Sequence, residues 1–263
     1  MTAVLQAKSI AAGYRDRPVL ESIDLSIQEG GVTALIGPNG SGKSTLLKTF
    51  ARLLAPRGGS ILLDGRAIRE QKSSEIARRI AVLPQQPIAP ENLTVRELVE
   101  QGRYPHLGAL RMLRSGDHDE VREALRLTGM EGFAHRPVDA LSGGERQRAW
   151  IALTLAQGSP VLLLDEPTTF LDIGHQLEVL DLVQSLNRDR GMTVIMVLHD
   201  LNQAAKYADR MVVLSQGGIF ADGLPSDVFT PAMLADVFGI EASVTIDPNT
   251  GTSHCVPLRA LPK

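Results

Sequence analysis

Gly37-Pro38-Asn39-Gly40-Ser41-Gly42-Lys43-Ser44 fills every fixed position of the pattern G-x-x-x-x-G-K-[ST]. It lies between the continuous apolar run Val32-Thr33-Ala34-Leu35-Ile36 and the helix-favouring Thr45-Leu46-Leu47-Lys48. A short run of this kind is a strand buried on both faces, and a strand that passes through a glycine loop into a helix belongs to a layered α/β sheet. The same arrangement makes an anion site, because glycines let the backbone wrap an anion while N–H groups and the positive end of the helix dipole face it. Lys43 is placed to hold the β- and γ-phosphates of a nucleotide and Ser44 to ligate Mg²⁺. The motif alone does not separate a kinase from a GTPase or a transport motor.

Ala81–Leu83, Val161–Leu164 and Thr193–Leu198 are further continuous apolar runs, separated by helical stretches, as parallel buried strands are. Residues 4–28 instead alternate apolar and polar side chains, with a turn near Arg15-Asp16-Arg17-Pro18, and read as two antiparallel strands. Ser60–Gly65 reads as another. The expected fold class is therefore α/β, a mixed sheet with an antiparallel β subdomain and helices packed on the core. Between Pro87 and Pro160 strand signals vanish, and Thr94-Val95-Arg96-Glu97 and Ser142-Gly143-Gly144-Glu145 both match the S/T-x-x-E/Q capping box, so an inserted helical subdomain is expected at 87–159. The rest of the core is assigned to 1–86 and 160–222, and a carboxy-terminal extension to 223–263. A long helix is expected from Gly174 to Arg190, closed by Gly191. Strands Arg210–Ser215 and Ile219–Asp222 follow, joined at Gln216-Gly217-Gly218, then a short helix capped by Thr230 and started by Pro231. Val244–Ile246 and Ser253–Val256 read as a hairpin around the turn 247–251. There is no internal repeat and no low-complexity linker.

Bulk properties exclude several classes. With 27 Lys+Arg against 30 Asp+Glu, a formal net charge of −3, there is no global basic field to track nucleic-acid phosphates. The longest apolar runs are far shorter than the roughly 20 residues needed to cross a bilayer. The start, Met1-Thr2-Ala3-Val4-Leu5-Gln6, lacks a basic segment followed by an apolar one, so a cytoplasmic location is expected. Cys255 is the single cysteine, which excludes an internal disulfide and leaves an incidental thiol.

Two further motifs carry chemistry. Asp165 follows Val161-Leu162-Leu163-Leu164 and stands at the carboxyl end of a buried strand, where open α/β sheets bind ligands; it is expected to bind Mg²⁺ directly or through water. Glu166 points differently and is the candidate general base for the attacking water. Ser142 reads as the N-cap of a helix whose first residues, Gly143 and Gly144, carry no side chain, and Glu145 closes its capping box. A bare helix N-terminus is also a phosphate site, and one chain with two such sites for one nucleotide suggests a dimer.

Together Gly37–Ser44, Ser142-Gly143-Gly144-Glu145-Arg146-Gln147-Arg148 and Val161–Pro167 resemble the ATP-binding-cassette family, and the resemblance runs through nearly the whole chain. It implies an ATPase with ATP and Mg²⁺, in which two cassettes pack head to tail. Each γ-phosphate is then clamped between the Lys43 loop, including Thr45, of one subunit and the Ser142 helix of the other. Glu145 stands where the family often has Gln. The resemblance implies further roles: Gln85 reaches Mg²⁺ and water, with Gln86 directly beside it; His199 contacts the γ-phosphate; Tyr14 stacks on adenine; Leu171-Asp172 crosses the dimer interface. Having no spanning segment, such a chain needs two transmembrane permease subunits, docked on the segment Gln85–His106 with Arg103, Tyr104 and Leu107, and a substrate-binding protein acting through them. It would lie at the cytoplasmic face of the inner membrane. Cassette ATPases acting on DNA or ribosomes are disfavoured by the single cassette and the lack of a heptad insertion, zinc module or basic stripe. A small-molecule kinase would leave Ser142–Glu145 and His199 without a role. Flanking residues, Gln101–His106, Arg148–Ala152, Asp165–Gln176 and Leu198–Asn202, are similar to importers of iron–siderophore cargo, with haem or cobalamin as the alternative. His175 is expected at a surface or interface.

Overall fold

The computed structural model describes residues 3–15, 17–88, 90–107 and 113–262. Asp16 of the expected turn, Ala89 of the expected docking segment, and Met1 and Thr2 lie outside the described residues. The chain divides into two compact units, residues 1–70 with 193–263, and residues 71–192.

The first unit opens with β1 (Ala3–Tyr14), β2 (Arg17–Gln28), β3 (Val32–Ile36), α1 (Lys43–Phe50), β4 (Gly58–Leu63) and β5 (Arg66–Ala67). The second holds α2 (Ser73–Ala77), β6 (Ile80–Leu83), α3 (Val95–Glu100), α4 (Ser115–Leu127), α5 (Gly143–Ala156), β7 (Val161–Asp165) and α6 (Ile173–Arg190). The chain returns to the first unit with β8 (Thr193–Val197), α7 (Leu201–Tyr207), β9 (Arg210–Ser215), β10 (Gly218–Gly223), α8 (Pro225–Val228), α9 (Pro231–Phe238), β11 (Ile240–Ile246) and β12 (Ser253–Ala260).

In the first unit β3 runs parallel to β8 on one side and β9 on the other, so that Ala34 faces Met196 and Met211. Every residue of β3 and β8 is buried, which is why neither shows alternation in sequence. β10 adds antiparallel to β9, making the sheet mixed as expected. β1 pairs antiparallel with β2 and β4. Its buried residues step from Ala7 to Ile10, three places where a flat strand allows two. A register shift there, with Ser9 at φ 47°, takes up the odd residue and keeps Ile10 and Ala12 inside.

The second unit pairs β6 with β7 in parallel and packs α3, α4 and α5 around their own apolar cluster. Val95, Leu98 and Val99 meet Val121 and Leu125 and the small face Ala149, Ala152 and Ala156, each large side chain contributing about 1.5–3 kcal/mol by leaving water. Both predicted capping boxes form, on Thr94 with Glu97 and on Ser142 with Glu145.

Arg103 departs from the surface position expected of it. It lies in the short 3-10 helix Gln101–His106, only 8% exposed. Its Nε donates to Asp117 Oδ1 at 3.0 Å and Nη1 to the Ala156 carbonyl at 2.7 Å. Asp117 is in the first turn of α4 and Ala156 ends α5, so a cation between them meets a carboxylate and a helix carbonyl terminus. Tyr104, next along, is 65% exposed.

Other boundaries differ in small ways. α6 starts at Ile173 rather than Gly174, because the Asp172 carboxylate accepts the His175 N–H at 2.9 Å and caps the helix there. The final hairpin is longer than expected, since most of its residues lie at least partly exposed and a register shift between Glu241 and Ala242 breaks the alternation. It is tied to α7 through Asn202, which donates to the Cys255 carbonyl at 3.2 Å and accepts from the Cys255 N–H at 2.7 Å. Cys255 is buried, and burial pushes its thiol up. Among the described residues no helix is long and apolar enough to cross a membrane.

Candidate active site

The glycine loop occupies the turn between β3 and α1 that its sequence requires. Gly37, Ser41, Gly42, Lys43 and Thr45 are buried, Pro38 and Ser44 half-buried, and Asn39 and Gly40 exposed. At Gly37 φ is 146°, and an added Cβ would come within 2.1 Å of the Leu214 carbonyl oxygen, so only glycine fits. The Ser41 N–H closes the loop on the Pro38 carbonyl at 3.2 Å. Lys43 folds its ammonium back onto the loop, donating to the Gly37 carbonyl at 2.8 Å and the Pro38 carbonyl at 3.1 Å. That satisfies a charge otherwise costly to bury and holds the loop as a bowl. Inside it, the buried Ser41 Oγ has no hydrogen-bond partner among the described residues, an orphaned polar atom that an anion's oxygens would satisfy.

In the same unit, His199 follows β8, exposed, with Asp200 capping α7 by accepting the Gln203 N–H at 2.9 Å. Tyr14 ends β1, with 46% of its surface open to solvent. An exposed aromatic ring at a strand end can stack on a planar ligand.

In the second unit β7 delivers Asp165, 2% exposed, and the chain then turns sharply at Glu166, where φ is 56°. Gln85 Nε2 donates to Glu166 Oε2 at 2.6 Å, and Thr169 Oγ1 donates to the same oxygen at 3.1 Å. The structure thus brings Gln85, rather than its neighbour Gln86, onto the candidate base. Sequence reading passed over Thr169, although its place three residues after an acidic residue in a turn is a spacing at which a hydroxyl reaches back.

Ser142 is exposed at the start of α5; its Oγ accepts the Glu145 N–H at 3.3 Å, and Glu145 Oε2 accepts the Ser142 N–H at 2.8 Å. That backbone bond, with the Ser142 hydroxyl, holds the Glu145 carboxyl below the usual range. Gly143 is exposed. Gly144 is buried against His175, whose Cδ2 would lie 2.2 Å from an added Cβ. The His175 ring is itself held by Asp172, with Nδ1 at 2.9 Å from either carboxylate oxygen. The His175 backbone N–H, then its ring, keep the Asp172 carboxyl below its ordinary value. His175 is a spacer between two helix starts, a role visible only once Gly144 and Asp172 are seen beside it.

Asp165 ends β7 of the second unit as a buried carboxylate and Ser44 starts α1 of the first as a half-buried hydroxyl, each by itself a hard oxygen donor of the type that suits Mg²⁺, which takes few protein ligands alongside waters and substrate phosphates. Among the described residues no group of three or more His, Cys, Asp or Glu could hold a metal ion.

The family model described as ABC transporter matches residues 20–169. The chain is 49% identical over 257 residues to the achromobactin transport ATP-binding protein of Dickeya dadantii (strain 3937), covering 98% of this chain and 95% of that one. It is 46% identical over 252 residues to the iron(3+)-hydroxamate import ATP-binding protein of Bacillus subtilis (strain 168), covering 96% and 94%. Among solved structures it is similar to a dimeric bacterial ABC transporter cassette, with a TM-score of 0.75 and 29% identity over 84% of this chain and 98% of that one. A glycine-loop bowl, a strand-end Asp-Glu pair and a capped Ser-Gly-Gly helix, on a fold and a sequence shared with these proteins almost end to end, lead to one conclusion: the chain belongs to the ABC transporter family, and within it to the ATPases.

Proposed function

We propose that this ATPase is the motor subunit of an importer for ferric siderophores. It works as a homodimer at the cytoplasmic face of the inner membrane, under two transmembrane permease subunits to which a substrate-binding protein presents the cargo. The observation that carries the cargo is the near full-length identity to proteins named for achromobactin transport and iron(3+)-hydroxamate import. Among the described residues no group of three or more His, Cys, Asp or Glu could hold an iron ion, in keeping with a subunit that the cargo never touches.

In this reading the Gly37–Thr45 loop wraps the triphosphate, Lys43 leaves its own loop carbonyls for the β- and γ-phosphates, and Tyr14 stacks on adenine. Ser44, Asp165 and Gln85 would hold Mg²⁺, which neutralises phosphate charge when bound. Glu166 takes the proton of the attacking water and His199 senses the γ-phosphate. Ser142, Gly143, Gly144 and Glu145 close on the nucleotide of the second copy, and Asp172 crosses between copies. Support for that interface comes from Phe170 and Ile173, apolar side chains 86% and 75% exposed on either side of Asp172. Residues 87–159 serve as the moving helical subdomain, 1–86 and 160–222 as the core. Exposed Ile88 and Tyr104, at 89% and 65%, favour docking of the permease on the Gln85–His106 segment.

Deleting the chain should abolish growth when a ferric siderophore is the sole iron source, and Lys43→Ala should reproduce the defect. Normal siderophore uptake in both strains, with loss of another cargo, would remove the iron assignment.

A further inference from the structure

Thr169 holds none of the roles assigned above, yet it shapes the turn that presents Glu166. The chain leaves β7 with Glu166 at φ 56° and bends again at Phe170, φ 65°. Between them the Thr169 N–H closes the turn on the Glu166 carbonyl at 3.3 Å, while its Oγ1 donates to Glu166 Oε2 at 3.1 Å. The residue therefore grips Glu166 at both ends, backbone and carboxylate. A glutamate side chain left to itself samples many rotamers, and a base that wanders loses the near-attack geometry on which rate depends. Threonine suits the task because its branched Cβ restricts χ1 and so aims the hydroxyl.

The second donor, Gln85 Nε2 at 2.6 Å, reaches the same oxygen from 81 residues away in the chain. If Gln85 moves to metal and water during turnover, as its proposed role requires, that contact is given up. Thr169 belongs to the same tight turn as Glu166 and moves with it. We infer that Thr169 is a positioning residue for hydrolysis, holding the Glu166 carboxylate in place when Gln85 departs. The inference rests on the reading of Glu166 as the general base.

The test uses the full chain with steady-state ATP hydrolysis, ATP binding and thermal midpoints for Thr169→Val, Thr169→Ser, Glu166→Gln and the double variant Thr169→Val/Glu166→Gln. Valine keeps the shape and loses the donor; serine keeps the donor. Thr169→Val should lower kcat about tenfold, the scale of one hydrogen bond to a charged group, with KM and melting temperature near parental. Thr169→Ser should recover to within about twofold, and Thr169→Val should add no further loss to Glu166→Gln. Parental kcat in Thr169→Val beside a slow Glu166→Gln overturns the inference and leaves the base assignment standing. Near-parental hydrolysis by Glu166→Gln removes the base assignment itself. An equal loss from Thr169→Val on both backgrounds, or valine and serine failing together with a lowered midpoint, also overturns it, since Thr169 would then act through something other than the carboxylate.

Discussion

Glu166 is one of nine described non-glycine residues with positive φ, and the only one of them that follows a buried carboxylate at a strand end. A left-handed backbone at such a residue costs on the order of 1–3 kcal/mol and persists where the surroundings impose it. Here that strain falls on the candidate general base, which points to a functional role for the turn. Glu166→Gln should bind ATP normally while hydrolysis falls about 10²- to 10⁴-fold, read by phosphate release and nucleotide binding side by side. Arg103 makes a contrasting prediction. Arg103→Met leaves the buried Asp117 carboxylate without its cation and should destabilise the 71–192 unit by about 3–5 kcal/mol, measured by urea unfolding. Asp117 itself is held below the usual carboxylate range, first by the Arg114 backbone N–H and then by Arg103. Because the folded value is the lower one, its contribution is complete above about pH 4 and is lost as pH falls further; Asp117→Asn should flatten that acid limb in pH-dependent unfolding. The places of Lys43 at the start of α1, Asp165 at the end of β7 and Ser142 at the N-cap of α5 were legible from motif spacing, whereas the inward turn of Arg103 was not. Its partners lie 14 and 53 residues away and only the packed helices bring them together.

The N-termini of α5 and α6 come together where Gly144 lies against His175. Gly144→Ala places a Cβ 2.2 Å from the ring and should cost about 1–3 kcal/mol in thermal or urea unfolding. Adding His175→Ala should recover most of that loss; no recovery would mean that the clash is not the cause. Buried strands and capped helices were readable because their signals are local: continuous apolar runs for β3, β7 and β8, and S/T-x-x-E for α3 and α5. α4 lies within the expected helical segment, but its start carries no S/T-x-x-E signal, since Arg114 stands at the N-cap and Asp117 supplies the capping oxygen instead. α7 and α8, of seven and four residues, are too short to show a helical period. The extent of the final hairpin was hidden by strands that bury few of their residues, where alternation carries no burial signal.

In the proposed homodimer each nucleotide is held jointly by Lys43 of one copy and Ser142 of the other. The exposed capped start of α5 and the exposed Phe170 and Ile173 suit that arrangement. The most direct test mixes two damaged chains, one Lys43→Ala and one Ser142→Arg, each with its own tag, and measures ATP-dependent dimerisation and hydrolysis. Either homodimer has both sites broken. In the mixed dimer one site carries both lesions and the other is whole, so ATP should capture the mixed pair and restore hydrolysis that neither parent shows. A mixture no more active and no more dimeric than its two parents would contradict the shared site.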